Sequence, residues 1–256
     1  MPSIACDPAT SCRSSSRSTR STCSTRRAGC RSERSGKRPP PPDTQPTHFL
    51  PPLLRPDVGV TDERSTDHLR ERVVASRVLH RGHYLTFRID TIERADGTRR
   101  ERDVCGHPGA VAIVALDDQE RVLLVRQWRS PAGRAMLEIP AGTLDIDRET
   151  EAVEDRALAA PRELEEETGY RAERWRLIGS FWTAPGFATE LMHLYLATDL
   201  RPAHEGRLGP DEDERLELER WPWRDAVDAV ERGDIIDAKS IVGLFWLARL
   251  KESGQA

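Results

Sequence analysis

A chain of 256 residues with 37% hydrophobic content is long enough to bury one sizeable core, and its length sets an expectation of one or two domains. The net charge of -4 hides a lopsided distribution: residues 1–43 carry nine Lys/Arg against three Asp/Glu, and the remainder is acidic. The longest apolar runs, 109–116 and 241–248, are eight residues each. That is far short of the roughly 18 to 20 needed to span a bilayer, and no apolar segment follows the basic N-terminus to make a secretory signal. No membrane span is expected, and cytoplasmic residence is the default.

Residues 1–70 are rich in Ser, Arg, Thr and Pro and offer too few large apolar groups to offset the entropy of ordering the chain. The stretch reads as a disordered tail. Its basic residues lack interleaved aromatics, so nucleic-acid binding is not expected. Cys6, Cys12, Cys23 and Cys30 lie in this tail and only Cys105 lies beyond it, a distribution that matches neither a disulfide framework nor zinc spacing. No methionine occurs between Met1 and Met136, so a start at a valine codon such as Val58 or Val60 is an alternative beginning. A peptide from residues 1–50 in mass spectrometry of the native protein would exclude it.

From residue 73 the texture changes to short β-branched runs. Segments 73–79, 84–92 and 99–104, the last two joined by Ala95-Asp96-Gly97, predict a small antiparallel layer within residues 71–106. A second unit is expected over 107–252. It opens with 110–116 and 122–127, which read as a buried hairpin across the polar turn 117–120. A short strand at 137–139 leads to Pro140-Ala141-Gly142, then an acidic loop, then a helix through 162–168 closed by Gly169. Strands at 175–182, 192–197 and 216–221 follow, and helices at 224–232 and 238–251 finish the chain, the last presenting Ile241, Leu244, Phe245 and Leu247 on an apolar face. This order predicts an α/β fold with a mixed sheet packed between helices.

The helix Arg162-Glu163-Leu164-Glu165-Glu166-Glu167-Thr168 places Glu163, Glu166 and Glu167 on one face by their i, i+3 and i, i+4 spacing. Like charges so spaced destabilise a helix unless solvent or a cation screens them. A solvated acidic face is the plain alternative. Carboxylates without neighbouring His or Cys are hard ligands that suit Mg2+, or Mn2+, rather than zinc, and point to phosphate chemistry. Leu164, on another face, can anchor the helix to a sheet, while Arg162 is placed to pair with Glu166.

This segment resembles the Nudix box, GX5EX7REUXEEXGU with U a bulky apolar residue. Glu154, Arg162, Glu163, Leu164, Glu166, Glu167, Gly169 and Tyr170 fall on its defined positions. Two departures stand out. Gly142 precedes Glu154 by eleven intervening residues rather than five, a six-residue insertion that leaves the role of Glu154 open. Pro161 requires the helix either to kink or to begin there. The resemblance covers roughly residues 73–250 and implies a Nudix-type α/β/α sandwich.

In detail the chain is similar to the ADP-ribose pyrophosphatase branch of that family, on three features. Val125-Arg126-Gln127-Trp128-Arg129 and Glu138-Ile139-Pro140-Ala141-Gly142 resemble the strand and loop before the box. By resemblance Arg129 contacts the substrate diphosphate and Glu138 lies near substrate and metals. Pro185, within Ala184-Pro185-Gly186-Phe187, stands fifteen residues after Tyr170 like a marker of that activity. The N-terminal strands resemble a layer through which such enzymes form homodimers. The resemblance further implies metal ligation by the Ala141 carbonyl with Glu163 and Glu167, and activation of water by Glu166 or by Glu212 or Glu214 of the acidic loop. Trp128, Phe187 and Tyr84 are candidates to stack on adenine, but a residue of each kind is more often a packing residue, and none is counted among the site residues. The implied reaction is hydrolysis of ADP-ribose, or a related nucleotide sugar, to AMP and ribose 5-phosphate. NADH, GDP-mannose and coenzyme A derivatives are the rival substrates. A non-catalytic ADP-ribose sensor is the rival class, against which the complete set of box carboxylates weighs.

Overall fold

The computed structural model describes residues 67–147, 149–203 and 215–256. The tail expected over residues 1–70 therefore lies almost wholly outside the described residues, as do Glu212 and Glu214.

The N-terminal layer is a three-stranded antiparallel sheet of β1 (Glu71–Arg81), β2 (Thr86–Arg94) and β3 (Arg99–Gly106). Its second hairpin closes where anticipated: Gly97 adopts φ 80° and Asp96 accepts hydrogen bonds from the Thr98 amide and hydroxyl. Beyond it come β4 (Ala110–Ala115), β5 (Arg121–Arg129), β6 (Arg134–Glu138), β7 (Ala141–Thr143), α1 (Arg156–Thr168), β8 (Tyr170–Trp182), β9 (Leu191–Pro202), β10 (Glu217–Pro222), α2 (Trp223–Arg232) and α3 (Ala238–Glu252).

A four-stranded mixed sheet runs β7-β4-β9-β8, with β4 and β9 parallel. Both faces are covered, which explains the unbroken apolar run of β4. Ala110, Ala112 and Val114 belong to the core shared with α2 and α3, whereas Val111, Ile113 and Ala115 pack with Ala160 and Leu164 of α1. This is the expected α/β/α sandwich, and Leu164 anchors α1 as anticipated.

The buried hairpin expected from 110–116 and 122–127 does not form as such. Only its tip closes, through the Leu116–Val122 bridge and the turn in which Asp117 accepts from the Gln119 and Arg121 amides. The strands then part, because β7 and β9 occupy both edges of β4, and β5 pairs instead with β10 and β6 in a separate sheet.

Pro161 marks neither the start of a helix nor a break in it. α1 begins five residues earlier, capped by Asp155, whose carboxylate accepts from Ala157 N at 2.9 Å. An interior proline costs about 3 kcal/mol. Full burial of Ala159, Ala160 and Leu164 around it offsets that loss. In the final helix Leu244 and Leu247 are buried, but Phe245 is 44% exposed and does not belong to the packed face.

Candidate active site

Glu163 lies against the β7 loop. A Cβ added to Gly142 would fall 1.9 Å from the Glu163 carboxyl carbon and 2.0 Å from one of its oxygens, so the carboxylate occupies space that any other residue at 142 would fill. One turn further along, Glu167 accepts a hydrogen bond from Ala141 N at 3.0 Å. Two carboxylates of one helix face thus meet the Ala141–Gly142 main chain. Gly169 then ends the helix at φ 70°, its amide donating to Glu165 O.

Arg162 organises the remaining acids. Its Nε and Nη2 donate to Glu154 at 3.2 and 2.8 Å, Nη1 donates to Glu166 at 2.8 Å, and Nη1 also lies 2.9 Å from Glu163. The bond to Arg162 holds the Glu154 carboxyl below its usual range, and those same bonds push the guanidinium further up. Glu154, whose part the insertion left open, is thereby a partner of Arg162. The inserted residues fold out of the way. Ile146 bridges Val153, Asp147 accepts from the Glu149 and Thr150 amides, and Glu154 N returns to Asp145 O at 2.8 Å. The extra length is absorbed in a small hairpin, and Glu154 reaches α1 regardless.

Behind the loop, Glu138 is 1% exposed. Burial would raise its pKa, but Arg129 and Lys239 overcome that and hold it below the usual carboxylate range. Arg129 grips it through Nε at 2.8 Å and Nη2 at 2.7 Å. Some 41% of the Arg129 side chain remains exposed. Sequence reading missed Lys239, which bonds Glu138 from 101 residues away, although Asp237-Ala238-Lys239-Ser240 carries a readable helix N-cap. It also missed Arg171, which holds buried Glu165 through two bonds of 2.6 and 2.7 Å.

The loop Ala184-Pro185-Gly186-Phe187 is tied to β3: Cys105 N donates to Phe187 O at 2.7 Å and Thr189 N donates to Cys105 O at 3.0 Å. A cavity of about 340 Å³ lies between this loop and Arg88, Asp90 and Arg102 of the N-terminal layer. The aromatic candidates do not serve as core packing, since Trp128, Phe187 and Tyr84 are 64%, 61% and 47% exposed.

The donor set suits a hard divalent cation. It is all oxygen, and Glu163 and Glu167 face the Ala141–Gly142 main chain. Among the described residues no three or more His, Cys, Asp or Glu side chains are grouped so as to hold a metal ion.

The NUDIX domain model matches residues 106–242, more than half of the chain. The chain belongs to the Nudix family. This Nudix chain is 38% identical over 188 residues to the ADP-ribose pyrophosphatase of Bacillus subtilis (strain 168), covering 73% of the chain and 97% of that protein. It is 35% identical over 177 residues to the methanol dehydrogenase activator of Bacillus methanolicus, covering 69% and 92%. A crystal structure of an ADP compounds hydrolase superposes with a TM-score of 0.61 at 26% identity, covering 73% of this chain and 97% of that one. The chain is accordingly a Nudix pyrophosphohydrolase. No helix among the described residues is long and apolar enough to cross a membrane.

Proposed function

We propose that this enzyme hydrolyses the pyrophosphate bond of ADP-ribose or a closely related nucleoside diphosphate sugar, releasing AMP and ribose 5-phosphate from ADP-ribose. The observation that carries the reading is the meeting of Glu163 and Glu167 with the Ala141–Gly142 main chain, beside an Arg129 fork anchored on Glu138. The likeness to the Bacillus subtilis ADP-ribose pyrophosphatase and the placement of Pro185 support this substrate class.

Glu163, Glu167 and the Ala141 carbonyl would hold magnesium, which when bound screens the diphosphate oxygens and acidifies an attacking water. With Nε and Nη2 held by Glu138, Arg129 presents its remaining N–H groups to the diphosphate and fixes its orientation. Glu212 or Glu214 of the acidic loop, or Glu166, accepts the proton of the attacking water. Arg162 keeps Glu166 in place for that use, a support that its bond to Glu154 stiffens. The N-terminal layer joins two copies into a homodimer, and the enzyme works in the cytoplasm.

The test is purified protein with magnesium and a panel of ADP-ribose, ADP-glucose, GDP-mannose, NADH and 8-oxo-dGTP, with products separated chromatographically. Rapid, magnesium-dependent AMP release from ADP-ribose is expected. Preference for another diphosphate would overturn the substrate assignment. Glu167→Gln should lower kcat by at least about a hundredfold while leaving the melting temperature near wild type, since several kcal/mol of charge stabilisation are lost. Unchanged turnover would refute the metal assignment.

A further inference from the structure

Lys239 sits where its charge is poorly served. It occupies the first turn of α3, where the helix dipole disfavours a cation, and it is only 8% exposed. Two acids compensate. Lys239 Nζ donates to Asp237 at 3.0 Å and to Glu138, the residue whose other bonds go to Arg129. Arg129 and Lys239 thus balance Glu138 and Asp237, two charges of each sign.

The next residue reaches the same segment by another route. Ser240, fully buried, accepts from Ile139 N at 2.8 Å while its hydroxyl donates to Asp237 at 2.6 Å. A hydroxyl committed as donor to a carboxylate is polarised into a better acceptor, so the Ile139 amide is held in a defined place. Two residues further on lies Ala141, whose amide bonds Glu167, and then Gly142, against which Glu163 packs. One turn of α3 therefore grips both Glu138 and Ile139, and these lead to the two halves of the site.

We propose that the first turn of α3 positions the diphosphate site: Lys239 fixes Arg129 through Glu138, and Ser240 fixes the Ala141–Gly142 main chain through Ile139. The proposal rests on the reading of Arg129 as the diphosphate contact. Neither residue touches substrate; each acts through the group it holds.

The experiment uses the full chain with magnesium and ADP-ribose, in wild type, Lys239→Met, Ser240→Ala and the double variant Glu138→Gln/Lys239→Met. Lys239→Met should raise KM about tenfold and change kcat by less than about threefold, because a contact made equally before and during reaction is what is lost. The double variant removes one charge of each sign. It should regain most of the thermal stability lost in Lys239→Met while KM stays high. Return of KM to wild type in the double variant would overturn the proposal, leaving charge balance as the sole role of Lys239, as would an unchanged KM in the single variant. Ser240→Ala should speed hydrogen exchange at the Ile139 amide by about tenfold or more, a readout of lost protection that needs neither substrate nor metal. Unchanged exchange there would overturn the second arm. Failure of wild type to cleave ADP-ribose would instead strike the functional reading, and the exchange measurement would still report on the clamp.

Discussion

The N-terminal layer and the second half of α1 both carry dense charge, but with opposite stoichiometry. In the layer two acids each take two arginines: Glu71 pairs with Arg94 and Arg102, and Glu93 with Arg72 and Arg99. At the helix one arginine serves four acids, since Arg162 bonds Glu154 and Glu166, lies beside Glu163 and comes within 3.8 Å of Asp145. Glu167 adds a further negative charge on the same face. The first arrangement surrounds each carboxylate with guanidinium. The second gathers several carboxylates around one guanidinium on a packed helix, an arrangement suited to handling a cation or a proton.

The sharpest way to break that contrast is at Gly142. In Gly142→Ala the new methyl would displace the Glu163 carboxylate, which sits at the flexible end of its side chain. Little strain need remain, so the melting temperature should hardly move. Turnover should fall by roughly ten- to a hundredfold, in the range seen when the support of a metal ligand is disturbed. A large loss of stability with activity retained per folded molecule would mean that Gly142 serves packing rather than the site.

His193 offers a test inside the sandwich. It is 2% exposed on β9, with Nδ1 2.9 Å from Ser180 Oγ and 3.4 Å from Arg156 Nη1. Arginine can only donate, so Nδ1 is the acceptor and the ring is neutral. Burial first, and the Arg156 charge second, lower its pKa from 6.5 to about 4. The unfolded chain therefore binds a proton that the folded chain refuses. Stability is full above about pH 6.5 and falls as pH drops toward 4, by about 3 kcal/mol in all. Denaturant melts between pH 7 and 4.5 should show this slope, and His193→Gln should remove the larger part. His107, also lowered by burial against the opposing pull of Glu190, acts in the same direction. A slope untouched by the substitution would show that His193 is not its source.

Pro161 gives a smaller effect of opposite sign. Within α1 it forgoes a bond to the Ala157 carbonyl. Pro161→Ala restores that donor at the expense of a freer unfolded chain, and should stabilise by about 1 to 2 kcal/mol without altering KM. A destabilised variant would show that the pyrrolidine ring is itself packed.

These sites differ in how far they could be read from sequence, and the reason is locality. The carboxylate face of α1, its glycine stop and the Arg162–Glu166 pair are set within one or two helical turns, so spacing alone foretold them. Gly142 and Glu163 were each marked by the family pattern, yet their contact depends on how closely β7 approaches the helix. Lys239 was missed because its partner Glu138 is 101 residues away and nothing local distinguishes a buried lysine from a surface one. The parting of β4 and β5 was hidden for a related reason. The turn chemistry at Asp117 is that of a hairpin, and what separates the strands is competition for the edges of β4 by β7 and β9, which come later in the chain.

The weakest expected effect tests the other half of the comparison. The Glu71 and Glu93 side chains keep 32% and 23% of their surface exposed, and the four arginines around them keep between 39% and 67%. Hydrogen bonds from Arg102 to Glu71 and from Arg72 to Glu93 lower both carboxyls, so their contribution is present above the unfolded value of 4.5 and lost below it. Water and salt screen such pairs strongly. The double variant Glu71→Gln/Glu93→Gln should therefore melt within error of wild type at neutral pH and retain its turnover. A fall of several degrees, persisting in high salt, would mean that these charges are withdrawn from solvent in the working protein. The face of β1 to β3 would then be covered by a second copy, and the same variant should shift the sedimentation profile toward monomer. If the melt falls while the profile stays put, the ladder is stabilising its own sheet, and the contrast between the two regions is one of degree rather than of kind.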